Sequence, residues 1–230
     1  MKRLLTIALI SFFFSSGFTQ TINHSDPARY VNPFIGTGAK PGSLAGSNFP
    51  GAVVPFGMVQ LSPDTQPQPD QDCSGYNYAD STIVGFSHTH LSGTGVADLF
   101  DVLVMPTVGA LNFNVGDIAK PGSGYFSTFN HKDEHAEPGY YSVLLKSYDV
   151  KAELTASSHV GMHRYLFPKT NDAHILIDLD HSLDKKRNYW SCHIISAQIK
   201  AVDNQTIEGF RVLTGWAKLR HVNTFCRRPF

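Results

Sequence analysis

Apolar and polar residues alternate with a period of two over much of the chain after residue 20. In the clearest stretch the apolar positions are Tyr148, Val150, Ala152, Leu154 and Ala156. Successive side chains of a strand point to opposite faces, so this pattern predicts a strand with one face turned inward. Residues 163–167 continue in the same style and predict a second strand.

Two further stretches predict strands of other kinds. Residues 173–179 form a nearly continuous apolar run, which is typical of a strand covered on both faces. Residues 195–201 and 207–213 flank Asp203-Asn204-Gln205. Because Asp and Asn tolerate turn conformations, this stretch predicts a hairpin.

The fold class follows from these patterns. No stretch of three turns shows the 3.6-residue periodicity of an amphipathic helix, and the 230 residues include 19 Gly and 13 Pro. Many strands and frequent turn residues predict an all-β fold, a β-sandwich. Residues 32–106 are dense in Gly, Pro, Ser and Thr, with aromatic residues and His between them, and long loops of this kind are usually functional.

The first 20 residues have the pattern of an export signal. Lys2 and Arg3 precede an apolar run over residues 4–14, and Ser15-Ser16-Gly17 offers small residues for cleavage. The run is about half of the roughly 20 residues that span a bilayer, which favours a cleaved signal peptide over an anchor or a buried strand. No later stretch has the pattern of a membrane span, so we expect a periplasmic or secreted protein.

Charge and cysteine content argue against several classes of protein. With 19 Lys and Arg against 19 Asp and Glu, the chain has no surplus of cations for nucleic-acid phosphates or an anionic membrane surface. Without Lys2 and Arg3 the chain is slightly acidic. Three cysteines are too few for a disulfide scaffold, whereas 12% aromatic residues can fill a core.

His88 and His90 stand two residues apart in a Gly-rich segment, residues 85–95. In an extended segment both side chains would point to the same face, where they could bind a metal ion with Asp98 or Asp101 as a further ligand. The alternative is that both histidines satisfy loop backbone groups or position a substrate beside a pocket.

Other residue types suggest a carbohydrate site. Gly36-Thr37-Gly38 is soon followed by Pro41 rather than a helix, which favours a loop close to a ligand over a nucleotide-phosphate loop. Aromatic residues in Gly- and Ser-rich surroundings can stack on a sugar or fill the core: Tyr76, Tyr78, Phe86 and Trp190. Glycoside hydrolysis needs two carboxyl groups, and the candidates are Asp64, Asp72, Asp80, Asp98, Asp101, Asp178, Asp180 and Asp184.

Several ordered segments together resemble the N-terminal domain of glycoside hydrolase family 92, the calcium-dependent exo-α-mannosidases. The matching segments are residues 30–38, 48–52, 55–65, 75–76, 85–95, 101–106, 189–192 and 207–209. The resemblance implies a β-sandwich that packs on a larger α/α-barrel domain, with the active site between the two domains. It also implies inverting hydrolysis by a Glu acid and an Asp-type base, with calcium helping to distort the mannose ring.

The resemblance places those carboxylates and the calcium ligands on the α/α-barrel domain, which we expect to be missing from these 230 residues. No catalytic residue is therefore expected here, and activity of this chain alone is uncertain. What it implies for this chain is one wall of the pocket that binds mannose-containing glycans. The residues expected in that wall are Phe34, Gly36, Thr37, Tyr76, Tyr78, His88, His90, Trp190 and Cys192.

The chain departs from the family pattern in two places. Phe100 stands where the family usually has Gly before Asp101, and the pattern stops after Leu219-Arg220. The expected division is a signal peptide over residues 1–20, the sandwich domain over 21–220, and a tail over 221–230 altered by a frameshift or a premature stop. Two alternatives remain open: a stand-alone carbohydrate-binding sandwich without catalytic activity, and a metal hydrolase built around His88 and His90.

Overall fold

The computed structural model describes residues 26–38, 47–65, 74–95, 98–182, 193–215 and 218–227, and these residues form mainly β-strands. The strands are, in chain order, β1 (Ala52–Val53), β2 (Gln60–Asp64), β3 (Thr82–Ile83), β4 (Gly85–Ser87), β5 (Leu103–Val108), β6 (Ser127–Thr128), β7 (Glu134–Glu137), β8 (Tyr140–Leu145), β9 (Val150–Ala156), β10 (Gly161–Leu166), β11 (Ala173–Asp178), β12 (His193–Ala201), β13 (Thr206–Gly215) and β14 (Lys218–Arg227). The described helical segments are single 3-10 turns at Pro27–Tyr30 and His131–Asp133.

Two antiparallel sheets enclose the hydrophobic core. One has the strand order β1-β2-β4-β5-β11 and the other the order β10-β9-β8-β7. Their facing side chains are buried together, among them Leu61, Phe86, Leu103, Tyr141 and Leu154. This arrangement confirms the prediction of an all-β sandwich, because each sheet buries its apolar face against the other. Among the described residues no helix is long and apolar enough to cross a membrane.

The period-two stretch forms β9 as predicted. Val150, Ala152 and Leu154 are buried, and the alternate residues Lys151 and Thr155 are exposed. The following predicted strand is β10, which pairs with β9 in antiparallel register over six residues. Alternation of side chains therefore located both strands and the inward face of the first.

The structure confirms the strand predicted for residues 173–179, but it does not show the predicted burial of both faces of that strand. Residues 173–178 pair with β5, but β11 is the last strand of its sheet. Leu176 is buried, whereas Ile175 is 48% exposed. A continuous apolar run does not distinguish a strand inside a sheet from one at its edge, because both have the same sequence pattern.

The predicted hairpin is formed by β12 and β13. Gln205 N–H donates to the Asp203 carboxylate at 2.7 Å in the turn, which explains why this polar triplet ends β12. A third strand, β14, pairs with β13 from residue 218 to residue 227. The boundary expected at residue 220 therefore falls inside a paired strand, and the pairing continues through residues 221–227.

Candidate functional site

A cluster of aromatic rings brings together three of the residues expected in the pocket wall and one that was not expected. The Phe34 ring lies 5.6 Å from that of Tyr78 and 6.5 Å from that of Tyr76, measured between centroids. His131 stacks on Tyr78 at 4.0 Å with an interplanar angle of 13°. Tyr78 remains 44% exposed, whereas Tyr76 is fully buried beneath it.

The Glu134 carboxylate holds this aromatic cluster from below. It accepts hydrogen bonds from the Tyr76 hydroxyl at 2.9 Å, the Tyr141 hydroxyl at 2.6 Å and His131 Nδ1 at 2.5 Å. Burial, reinforced by the negative charge of Glu134, raises the pKa of both tyrosines well above the usual value. Both hydroxyls therefore stay protonated and keep donating, which fixes the rings in place.

The loop from Phe34 to Thr37 turns back over the same cluster. Thr37 is buried, its hydroxyl donates to the Phe34 carbonyl at 2.8 Å, and its own carbonyl accepts from Tyr78 N–H at 3.1 Å. Gly36 has a φ of +78°, and a Cβ there would lie 2.4 Å from Asn48 Nδ2. The left-handed backbone favours glycine at this position, and a larger residue would also displace the Asn48 amide.

Asn48 joins three loops that are far apart in sequence. Its side-chain amide donates to the Ile35 carbonyl at 3.4 Å, and its side-chain oxygen accepts from the Ser92 hydroxyl at 2.8 Å. Its backbone carbonyl accepts from the Ser74 hydroxyl at 2.8 Å. The loops at residues 34–37, 74–78 and 91–95 therefore converge at one end of the sandwich.

His90 belongs to a buried ionic network. Its Nδ1–H donates to the Gln60 carbonyl at 2.6 Å and its Nε2–H to Asp64 Oδ1 at 2.8 Å, so both ring nitrogens carry protons. His181 Nε2–H donates to the other oxygen of Asp64 at 2.9 Å. Burial alone would raise the pKa of Asp64, but the charge of His90 and the hydrogen bonds from His181 and His90 hold it below the usual value.

The residue types of this network match a nucleophilic triad, but its geometry does not. Ser87 Oγ lies 3.0 Å from His90 Nε2, the same nitrogen that donates to Asp64. In a working triad the serine and the carboxylate bind opposite nitrogens of the ring. Ser87, His90 and Asp64 are all buried.

His88 turns to a different partner from His90. Its Nδ1 bonds to the Val102 carbonyl at 2.8 Å, and its Nε2 lies 3.0 Å from Nε2 of His163 on β10. The structure does not support the alternative in which His88, His90 and an aspartate bind a metal ion, because within the described ranges no three such side chains converge on one point. Strand β4 ends at Ser87, so the alternation assumed for an extended segment stops before both histidines.

Arg211 attaches the hairpin of β12 and β13 to the loops. Its side chain is fully buried, Nη1–H donates to the His181 carbonyl at 3.0 Å, and Nε lies 3.4 Å from Asp101 Oδ1. Asp101 also accepts from the Thr89 hydroxyl at 2.7 Å. This buried pair connects β13 to the segment that carries His88 and His90.

The candidate carboxylates are committed to neighbouring groups. Asp80 accepts from the Thr65 hydroxyl at 2.6 Å, and Asp178 accepts from the Tyr125 hydroxyl at 2.8 Å. Asp64 and Asp101 bind histidine and arginine as described above. Trp190 and Cys192 of the expected wall, and the candidates Asp72 and Asp184, lie outside the described residues.

Comparison with known proteins gives the family. Residues 30–227 match the model of the glycosyl hydrolase family 92 N-terminal domain. This chain belongs to glycoside hydrolase family 92. The family match also continues to residue 227, as the pairing of β14 does.

Two relatives show which part of a family 92 protein the chain corresponds to. A family GH92 α-mannosidase from Bacteroides thetaiotaomicron, solved with mannoimidazole, is 40% identical with a TM-score of 0.77, over 85% of this chain and 24% of that one. An uncharacterised secreted glycosidase from Arthroderma benhamiae is 29% identical over 71% of this chain and 21% of its own length. The chain therefore spans about a quarter of the relatives that it matches.

The residue at which the sequence is expected to depart from the family pattern, Phe100, has an unusual backbone conformation. Phe100 has a φ of +53°, in the left-handed region that glycine adopts freely. Its ring is buried edge-on against His90 at 5.3 Å and His181 at 6.5 Å. The phenylalanine therefore keeps the backbone of a glycine and adds a ring to the buried network.

Several residues of the site gave no separate signal in the sequence. Asn48 was part of a matching segment, but nothing in it marked the side chain that joins three loops. His131 and Glu134 lie in a stretch without glycine or recognisable spacing, and His181 and Arg211 meet Asp64 and Asp101 only through the fold. Only the three-dimensional arrangement reveals these partners.

Proposed function

We propose that this chain is the N-terminal β-sandwich of an exported α-mannosidase that degrades mannose-containing glycans, and that it forms one wall of the mannose-binding pocket. Membership of family 92 and the 40% identity to an α-mannosidase support the activity of the whole protein. The observation that carries the role of this chain is the convergence of three loops on Asn48.

The surface above Asn48 has the properties of a sugar-binding wall. Ser92, Gly93 and Thr94 are exposed there, beside the exposed Ile35. Gly93 has a φ of +71°, and a Cβ built on it would meet no atom within 4 Å. The glycine is therefore required by backbone conformation alone, and its open side allows a ligand to approach the main chain closely.

The expected wall residues take two roles in this proposal. Phe34, Gly36 and Tyr78 reach the surface and can contact a sugar, whereas Tyr76 and His90 are buried and hold the loops from below. The Asn48 amide and the Ser92 hydroxyl, beside the apolar side chain of Ile35, suit a neutral pyranose ring with several hydroxyl groups.

The hydrolytic groups are proposed to lie outside these 230 residues. The proposal follows the family in assigning the Glu acid, the Asp-type base and the calcium ligands to the remaining three quarters of the relatives' length. The described residues do not fit a calcium site, since they contain no group of three or more candidate ligands. The chain's contribution to inverting hydrolysis is thus to bind and orient the sugar.

A surface for the α/α-barrel domain is proposed at the apolar tip, defined as Phe56, Met58, Val160 and Met162. All four side chains are exposed. Met58 N–H donates to the Ser158 carbonyl at 2.7 Å, which holds the first two residues against the turn that contains Val160 and leads into β10 with Met162. Exposed apolar side chains grouped in this way are typical of a contact surface.

We further propose that residues 1–20 are a signal peptide and that the protein is periplasmic or secreted. The charged start and the short apolar run support this, and the fungal relative is described as secreted. N-terminal sequencing of protein exported by a bacterial host tests it, with cleavage near Gly17 expected. An intact N-terminus on exported protein would contradict it.

The pocket wall can be tested with the purified chain. NMR titration with mannose is expected to shift the amide signals of residues 34–37, 48 and 91–95 selectively, and Asn48→Ala should remove these shifts. Asn112→Ala is the matched control, because Asn112 bonds to the Ser123 carbonyl and to Asn114 N–H in a turn away from the three loops. Shifts confined to β12–β14 would contradict the proposed location.

The same preparation separates the proposal from its alternatives. Incubation with α-1,2-mannobiose and calcium is expected to release no mannose, and release by the pure chain would overturn the assignment of the acid and base to another domain. A stand-alone binding module predicts tight mannose affinity from this chain alone, measured by calorimetry. If the chain forms only one wall of the pocket, mannose should bind weakly and the calorimetric titration should not reach saturation.

A further inference from the structure

His88 and His163 form a pair outside the network of His90. His88 follows β4 and His163 lies on β10, in the opposite sheet. Their Nε2 atoms are 3.0 Å apart and their ring centroids 4.9 Å apart. Neither residue is fully excluded from solvent.

The second nitrogen of each ring has a hydrogen-bond partner that can orient a metal-binding histidine. The atom of Val102 that His88 Nδ1 contacts at 2.8 Å is the carbonyl oxygen, which can only accept, so Nδ1 carries the hydrogen of this bond. His163 Nδ1 lies 2.7 Å from the Tyr165 hydroxyl, which can either donate or accept. A hydrogen bond to a carbonyl or hydroxyl at the far nitrogen fixes ring orientation and strengthens the metal-facing nitrogen.

In the metal-free pair one proton lies between the two Nε2 atoms. His88 Nε2 accepts, His163 Nε2–H donates, and His163 Nδ1 accepts from Tyr165. If the proton of His163 moves to Nδ1 and the Tyr165 hydroxyl rotates to accept it, both Nε2 lone pairs become free. This rearrangement changes no net charge and releases no proton.

The spacing matches two ligands of one metal ion. Metal–nitrogen bonds of about 2.0–2.1 Å place adjacent ligand nitrogens about 2.9 Å apart in octahedral or square-planar geometry and about 3.3 Å apart in tetrahedral geometry. The observed 3.0 Å lies within this range. Neutral imidazoles are the ligands that Zn²⁺, Cu²⁺ and Ni²⁺ prefer.

We propose that His88 and His163 form a two-histidine site for a divalent transition-metal ion, with water completing its coordination. In the described part of the chain no third carboxylate, thiol or imidazole joins the pair, so the site binds Zn²⁺ or Cu²⁺ with moderate affinity. The ion ties β10 to the segment after β4. The lowered pKa of both rings, caused first by burial, keeps them neutral and ready to coordinate.

Calorimetric titration of the full chain with Zn²⁺ tests the site. One equivalent is expected to bind, and both His88→Asn and His163→Asn should lose it. Tyr165→Phe should weaken binding by about 10- to 100-fold, because it removes the partner of His163 Nδ1. His135→Asn is the matched control, since His135 lies exposed on β7 and should leave the equivalent unchanged.

Two further readouts distinguish this pair from incidental histidine binding. Zn²⁺ titrations in buffers of different ionisation enthalpy should give the same heat, because no proton is released. The electron paramagnetic resonance spectrum of one equivalent of Cu²⁺ should show two equatorial nitrogens, reduced to one in His163→Asn. The circular dichroism spectrum of His163→Asn should first show that the variant is folded. If the folded variant still binds one equivalent of Zn²⁺, the proposal is wrong.

Discussion

At the scale of single residues, His88 and His163 make the stability of the fold depend on pH. Burial lowers the pKa of both rings, and for His163 the nearby His88 lowers it further. The unfolded chain takes up protons at both rings near about pH 6.5, while the folded chain resists them. Below that pH the unfolded state therefore binds more protons, and the free energy of unfolding decreases.

Urea unfolding at pH 7.5 and pH 5.5 measures this effect. For each ring the free energy of unfolding should fall by up to about 1.4 kcal/mol per pH unit below pH 6.5. The double variant His88→Gln/His163→Gln should depend less on pH than the native chain. His135→Gln, an exposed control, should keep the native dependence, and an equal dependence in the double variant would contradict the assignment.

At Phe100, backbone strain lowers the stability of the fold and burial of the ring raises it. Its left-handed backbone costs about 1–2 kcal/mol for a residue with a Cβ, whereas truncating a buried phenylalanine costs about 3–5 kcal/mol. Because burial of the ring outweighs the backbone strain, Phe100→Gly should lower the free energy of unfolding by about 2 kcal/mol, measured by urea unfolding.

Asp149 provides the matched comparison. Its φ is +51°, but its side chain is exposed in the turn between β8 and β9. Asp149→Gly relieves the strain of a left-handed backbone without removing any buried side chain. The free energy of unfolding should therefore stay level or rise by up to about 1 kcal/mol. Greater stability in Phe100→Gly would show that strain outweighs burial at that position.

At the scale of elements, the attachment of the β12–β13 hairpin depends on Arg211. The hairpin exposes apolar residues of β12 such as Ile195 and Ile199, whereas β13 buries Arg211 and Leu213. The buried guanidinium bonds to the His181 carbonyl and pairs with Asp101. Removing one partner of such a pair leaves a buried charge without compensation.

Arg211→Leu should therefore lower the free energy of unfolding by about 3–5 kcal/mol. Hydrogen exchange of the amides in residues 206–215 should accelerate more than exchange in β8 and β9, because the hairpin loses its attachment first. Arg164→Leu is the control: Arg164 pairs with Glu153 from a largely exposed position, and its loss should cost less than about 1 kcal/mol. Uniform acceleration throughout the molecule would argue against a local role for Arg211.

At the scale of the whole molecule, the apolar tip is the proposed surface for association. Phe56 is fully exposed and has a φ of +59°, so it combines an exposed ring with a backbone that disfavours side chains. Neither feature stabilises the isolated chain, which agrees with a surface made for contact with another domain. When no other domain covers it, an exposed apolar surface of this kind promotes self-association of the chain.

Phe56→Gly should reduce self-association of the purified chain, measured by light scattering over a concentration series. The free energy of unfolding should stay level or rise by up to about 1 kcal/mol, because glycine accepts the left-handed backbone. Phe86→Ala, a buried control, should instead cost about 3–5 kcal/mol. Undiminished association in Phe56→Gly would place the contact surface elsewhere.

The sequence alone determined the elements and the family of this protein. Alternation located β9, β10 and the hairpin because side chains of a strand necessarily alternate between faces. The matching segments identified the family because they contain residues that the local backbone conformation favours, such as glycine at the left-handed position 36. These features depend on neighbours in the chain, so they can be found without the fold.

Only the tertiary structure decided which side chains meet. Asp64 and His181 are 117 residues apart and Tyr76 and Glu134 are 58 apart, and no local pattern relates such partners. The two histidines of one short motif were separated into different networks because the segment leaves its strand before them. Burial and long-range pairing depend on how the sheets pack, and that is why the sequence supplied candidate site residues but not the contacts between them.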